Sequence, residues 1–226
     1  MLRTLLFTGA AAGIALLSDA AVAQTQEHAP VSLKSSQRMS QDQPRSESWT
    51  YMSPNFRSSK FSSICVLPTT VYTGPDAQFP GTSAADKQKF ANILTQKVRQ
   101  ELGSAFTVYP QKHPGCLSLQ MTLVGVENTK GGVATATRVM PIGLALSTVK
   151  SLRGKSGSFT GSMLVSFEFT GGKKNEVLVA AVRRRSPDAL DIPATLSMSD
   201  TVGAVGRDYG RELRDRLLAS GVLTRR

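Results

Sequence analysis

Phe159-Thr160-Gly161-Ser162-Met163-Leu164-Val165-Ser166-Phe167-Glu168-Phe169, followed by Thr170-Gly171-Gly172-Lys173-Lys174-Asn175 and then Glu176-Val177-Leu178-Val179-Ala180-Ala181-Val182-Arg183, is the stretch that decides the fold class. Phe159, Met163, Val165, Phe167 and Phe169 alternate with Thr160, Ser162, Ser166 and Glu168, the period of two expected of a strand with one covered face. The Gly-Gly-Lys-Lys-Asn run is turn chemistry, and the apolar run from Glu176 to Arg183 reads as the returning strand of a β-hairpin. Upstream, Cys116 to Glu127 shows the same alternation, with Leu117, Leu119, Met121 and Leu123 against Ser118, Gln120 and Thr122. Both long runs are expected as half-exposed strands in a sheet dominated by antiparallel pairing.

Helices flank these strands. Ser83-Ala84-Ala85-Asp86 is a capping box, after which Phe90, Leu94, Val98 and Leu102 recur every fourth residue until Gly103 supplies a stop. A last helix is expected from an N-cap near Asp200, with Val202, Val205, Tyr209, Leu213 and Leu217 on one stripe and Gly221 as its end. Gly203, Gly206 and Gly210 lie beside that stripe, each costing about 1 kcal/mol relative to Ala, so close approach of this helix to the sheet is the expected compensation. Ile64-Cys65-Val66-Leu67 reads as a strand covered on both faces and ended by Pro68, and Ala105 to Tyr109 as a short strand. The order predicts an α+β domain: a mostly antiparallel sheet with helices packed on one face.

The 226 residues suit one domain with loose ends. Two Cys and two His leave little from which to build a metal site, and neither a catalytic residue nor a cofactor site is predicted. Gly154-Lys155-Ser156 resembles the tail of a phosphate-binding loop, but position 149, where that loop needs glycine, is Val149. His28 falls in a polar segment and His113 in a Pro/Gly loop, so a His-based triad would rest on His113 alone.

The start of the chain reads as an export signal over residues 1–23: Arg3, an apolar run of about 13 residues from Leu5 to Leu17, and the small-x-small pattern Ala21-Val22-Ala23. The mature chain is then expected to begin at Gln24, in the periplasm, with an uncleaved membrane anchor as the alternative. Loss of Arg3 and Asp19 leaves the net charge of +11 unchanged, so the basicity belongs to the mature protein. Residues 24–57 are rich in Ser, Gln and charge and read as a flexible tether, with Trp49, Tyr51, Met52 and Phe56 marking where it docks on a single domain over 58–226.

Three features outside the core invite functional readings. Cys65 and Cys116, exported to an oxidising compartment, either pair across a loop of 51 residues or stand as separate buried thiols. Positive charge concentrates in two places, Arg183, Arg184 and Arg185 at the end of a strand and Arg207, Arg211 and Arg214 on the helix face opposite Tyr209 and Leu213, which either form a solvated polar face partly neutralised by Asp208, Glu212 and Asp215 or attract an anionic surface such as lipid phosphates or acidic glycans. Val139 to Val149, bracketed by Arg138 and Lys150, is apolar and presents Ile142, Leu144 and Leu146 either to the core or to a partner or membrane surface.

Tyr72-Thr73-Gly74-Pro75-Asp76-Ala77-Gln78-Phe79, Met140-Pro141-Ile142-Gly143-Leu144, Gly157-Ser158-Phe159-Thr160-Gly161-Ser162 and Ser186-Pro187-Asp188-Ala189-Leu190-Asp191, in this order and spacing, resemble the bacterial domain-of-unknown-function family 3313 from about Tyr51 to Gly221. The resemblance implies an envelope protein, typically a lipoprotein, and supplies no catalytic residues. Gln24 stands where the acylated Cys of such a lipoprotein would be, which favours a soluble periplasmic form. The leading expectation is a non-enzymatic envelope accessory protein acting on another envelope protein. The alternative is a binding module for anionic lipid or glycan, making peripheral membrane contact, and a hydrolase comes third. The leader argues against nucleic acid.

Overall fold

The computed structural model describes residues 29–30, 32–44, 46–127, 161–172, 174–186 and 197–226. The export signal, the apolar segment carrying Ile142, Leu144 and Leu146, and Gly154-Lys155-Ser156 lie outside these residues.

Among the described residues, eight strands form one sheet: β1 (Ser40–Gln41), β2 (Ser48–Met52), β3 (Ser63–Val66), β4 (Thr70–Val71), β5 (Val108–Tyr109), β6 (Cys116–Glu127), β7 (Ser162–Gly171) and β8 (Glu176–Arg185). Their order is β1-β2-β8-β7-β6-β3-β5, with β4 also on β6. The hairpin forms as its alternation predicts, with Phe167 opposite Ala181 and Phe169 opposite Val179, and its turn places Gly172 and Asn175 at φ 74° and 49°. β1–β2, β2–β8, β8–β7 and β7–β6 are antiparallel, while β3 and β4 run parallel to β6. β3 and β4 run along β6 on either side of Pro68, whose missing N–H cannot join a ladder.

Helices α1 (Ala84–Gly103) and α2 (Met198–Ser220) pack on the sheet. Ser83 caps α1 through the Asp86 amide at 3.1 Å, and the expected stripe Phe90, Leu94, Val98 and Leu102 is buried. The cap of α2 is Ser197, not Asp200. Asp200 is instead the third helical residue, closing a reciprocal capping box with Ser197, and Gly221 ends the helix at φ 62°. Among the described residues no helix is long and apolar enough to cross a membrane.

Two expectations are corrected. The long strands are not half-exposed: of β7 only Thr170 escapes full burial, and β6 is buried except at Gln120 and Glu127. The cause is the second correction, because residues 29–57 are not a tether throughout. The chain around Ala29, Leu33 and Met39 packs with Trp49, Tyr72, Val124, Leu164 and Val182, covering the face opposite the helices. β2 pairs with β8 over five residues, and Trp49 is 1% exposed. Ser35 donates a buried hydrogen bond to Glu168, which explains how a carboxylate sits inside the sheet's second face.

The glycines of α2 also approach α1 and not the sheet. A Cβ on Gly210 would stand 2.7 Å from Glu101 Cβ and 3.3 Å from Val98 Cα, whereas one on Gly203 would meet nothing nearer than 3.8 Å. Gly210→Ala is therefore expected to destabilise, since forcing the helices apart costs about 1–3 kcal/mol against the roughly 1 kcal/mol gained in helix propensity. Gly203→Ala keeps the propensity gain and should stabilise by up to about 1 kcal/mol. Urea midpoints measured on both variants should move in opposite directions. Movement of both the same way would refute the close-packing account.

Candidate functional site

Strand alternation sends Phe167 and Phe169 of β7, Val179 and Ala181 of β8, and Thr50 and Met52 of β2 to the helix side of the sheet. Beyond Tyr209, Leu213 and Leu217 of α2 this surface borders an open cavity of about 580 Å³, which Phe56 and Arg57 also line. Met52 at its edge is 50% exposed. The volume lies within the about 300–1,000 Å³ usual for small-molecule sites.

The rim is basic. Among the described residues, Arg57, Arg183 and Arg216 line the cavity with a single acid, Glu212. Glu212 is shared between Arg185 and Arg216, the latter at 2.8 Å, and Arg183 pairs with Asp42 at 2.8 Å. Arg57 is exposed and has no ion pair among the described residues. Tyr209 forms part of the wall; burial pushes its hydroxyl pKa up, opposed by nearby Arg185, so it stays protonated and donates to the Arg183 carbonyl at 2.8 Å.

The structure divides most of the six arginines singled out in the sequence among several partners. Consecutive residues of a strand face opposite ways, so Arg184 turns to the covered face, where it holds Glu47, while Arg185 turns to Glu212 on α2. Arg211 pairs with Asp208, and Arg214 with Asp215 at 2.9 Å and Glu101 at 3.4 Å. Arg207 alone of the six has no ion pair among the described residues. Cys65 and Cys116 form a disulfide, with Cα atoms 5.9 Å apart, resolving the alternative left by the sequence. Arg57 was missed by sequence reasoning because its isolation gives no local signal; only the convergence of β2, β7, β8 and α2 makes it a rim residue.

The family comparison accounts for most of the chain. The model of a protein family of unknown function, DUF3313, matches residues 31–213. The chain belongs to the DUF3313 family. The DUF3313 match starts well before Tyr51, so it takes in the segment that covers the second face of the sheet. No curated protein matches the chain. Among solved structures, the PelC dodecamer from Paraburkholderia phytofirmans is 11% identical with a TM-score of 0.39, over 74% of this chain and 96% of that one. Protein XCC0632 from Xanthomonas campestris is 10% identical, TM-score 0.39, over 75% and 91%. A homolog of neuraminyllactose-binding hemagglutinin from Helicobacter pylori is 12% identical, TM-score 0.39, over 72% and 89%.

Proposed function

We propose that this protein is an exported, non-enzymatic accessory protein of the cell envelope that holds an amphipathic anion, a single acyl chain with an anionic headgroup, in the cavity between α2 and the β2–β8–β7 surface. The observation that carries this reading is an apolar floor with a cationic rim: Phe167, Phe169, Val179 and Ala181 beside Arg57, which has no ion pair among the described residues. Such a floor favours a hydrocarbon chain, and an arginine free of an acidic partner can take a phosphate or carboxylate bidentately. A glycan would need a lining of hydrogen-bonding groups where these side chains are apolar. The leader pattern of residues 1–23 supports export, and the disulfide suits an oxidising compartment.

Titration of the mature protein with lysophosphatidylglycerol below its micellar concentration tests the reading, with the uncharged monoacylglycerol of equal chain length as control. Binding of the anion is expected to weaken about tenfold or more in Arg57→Glu, the worth of one charge-assisted hydrogen bond, and to weaken as salt rises. Ala181→Trp, which fills the floor, should abolish it while leaving far-UV circular dichroism unchanged. Equal affinity for charged and uncharged lipid, or no binding of either, would exclude the anionic-lipid role and return attention to a protein partner docked on the same apolar surface.

A further inference from the structure

The register of the β3–β6 ladder sets Ser63 opposite Cys116 and Cys65 opposite Ser118, placing the two cysteines diagonally across neighbouring strands. The loop just before β6 adds His113. Its ring nitrogen and the two sulfurs lie within 4.8 Å of one another. His113 Nδ1 lies 2.9 Å from the Pro114 carbonyl, an oxygen that only accepts, so Nδ1 carries the proton. Nε2 is thereby left with its lone pair and accepts from the Ser63 hydroxyl at 3.2 Å. This is the arrangement of a metal-ligating histidine, whose second ring nitrogen is held by a carbonyl or carboxylate. Tyr109 packs edge-on against the ring at 4.6 Å and holds it in place.

We propose that the Cys65–Cys116 disulfide masks a Cys₂His site for a thiophilic cation, zinc(II) or copper(I), which opens when the disulfide is reduced. A dithiol reductant supplies the two electrons: its thiolate attacks the sulfur of Cys116, the S–S bond breaks with Cys65 leaving as thiolate, and the donor's second thiol closes the donor's own disulfide. Cys65 and Cys116 finish as thiols carrying the donor's two protons. Metal entry then displaces those two protons, leaving both thiolates and neutral His113 as ligands. Tetrahedral bonds of about 2.3 Å to sulfur and about 2.0–2.1 Å to nitrogen place ligand atoms about 3.5–3.8 Å apart. Three protein ligands leave a fourth zinc position open to solvent or to an exogenous ligand, whereas copper(I) is satisfied by three.

The test compares the mature protein oxidised and after phosphine reduction, anaerobically. Zinc(II) is titrated against a chromophoric indicator and copper(I) against a bathocuproine-type chelator. The reduced protein should bind one equivalent of at least one of these cations, and the oxidised protein none. His113→Ala, reduced, should bind at least about tenfold more weakly, and cobalt(II) should give thiolate charge-transfer bands with intense tetrahedral d–d bands only where His113 is present. The relative affinities for the two cations identify the one preferred. Equal affinity in reduced wild type and His113→Ala would show two cysteines binding without the site and would overturn the proposal. So would the absence of stoichiometric binding, or a reduced protein whose near-UV circular dichroism shows it unfolded with and without metal.

Discussion

Trp49→Ala is expected to lower the unfolding free energy by about 3–5 kcal/mol, the range for removing a fully buried large aromatic side chain. In a chain of this size that corresponds to a fall in Tm of roughly 6–20 °C. The indole is 1% exposed and packs with Leu33, Tyr72, Val124, Leu164 and Val182, so its removal opens a cavity beneath the segment that covers the second face of the sheet. Trp49 is also the only tryptophan, so the transition has to be followed by far-UV circular dichroism in urea and not by fluorescence. Its Nε1 has no hydrogen-bond partner among the described residues. Trp49→Phe, which removes that desolvated N–H while keeping an aromatic ring, should therefore cost less than about 1.5 kcal/mol. A flexible tether would make both changes neutral. A midpoint unmoved in Trp49→Ala would mean that residues 29–57 do not belong to the cooperative unit.

Removing the disulfide is the second large perturbation. Closing a loop of 51 residues restricts the unfolded chain, and the chain-entropy relation puts that restriction at about 4 kcal/mol at 25 °C. The Cys65→Ala, Cys116→Ala double variant should show this loss together with a larger urea m-value, because an unfolded chain without the crosslink exposes more surface. An unchanged midpoint would sink the expectation, and a lower midpoint with unchanged m would place the stabilisation in the native state. Thiol labelling of unfolded, unreduced protein recovered from cells should find both cysteines blocked. The same bond ties β3 to β6 at the end of the sheet where His113 sits. A moderate loss of stability on reduction, short of unfolding, is the condition under which the Cys₂His site can load.

Some of this molecule is written in local pattern. The β7–β8 hairpin and β6 were legible from alternation, the caps at Ser83 and Gly221 from residue type and spacing, and the α1 stripe from its fourfold recurrence. These elements depend on contacts between near neighbours or on a periodicity that a single segment displays. The α+β class follows from their order.

Tertiary structure decided the rest, because it depends on what lies across a sheet or between helices. Glu168 looks like the solvent side of its strand, yet it is buried, since a polar-looking segment more than a hundred residues away in sequence folds over that face and Ser35 donates to its carboxylate. Gly210 announces that some backbone comes close, but only the fold shows that it belongs to Val98 and Glu101 of α1. Three consecutive arginines read as one cluster until the strand's alternation parts Arg184 from Arg183 and Arg185. Cys65, His113 and Cys116 carry no shared motif in the sequence. A parallel strand register and the loop leading into β6 bring their ligand atoms within 4.8 Å, and that convergence exists only once the chain has folded.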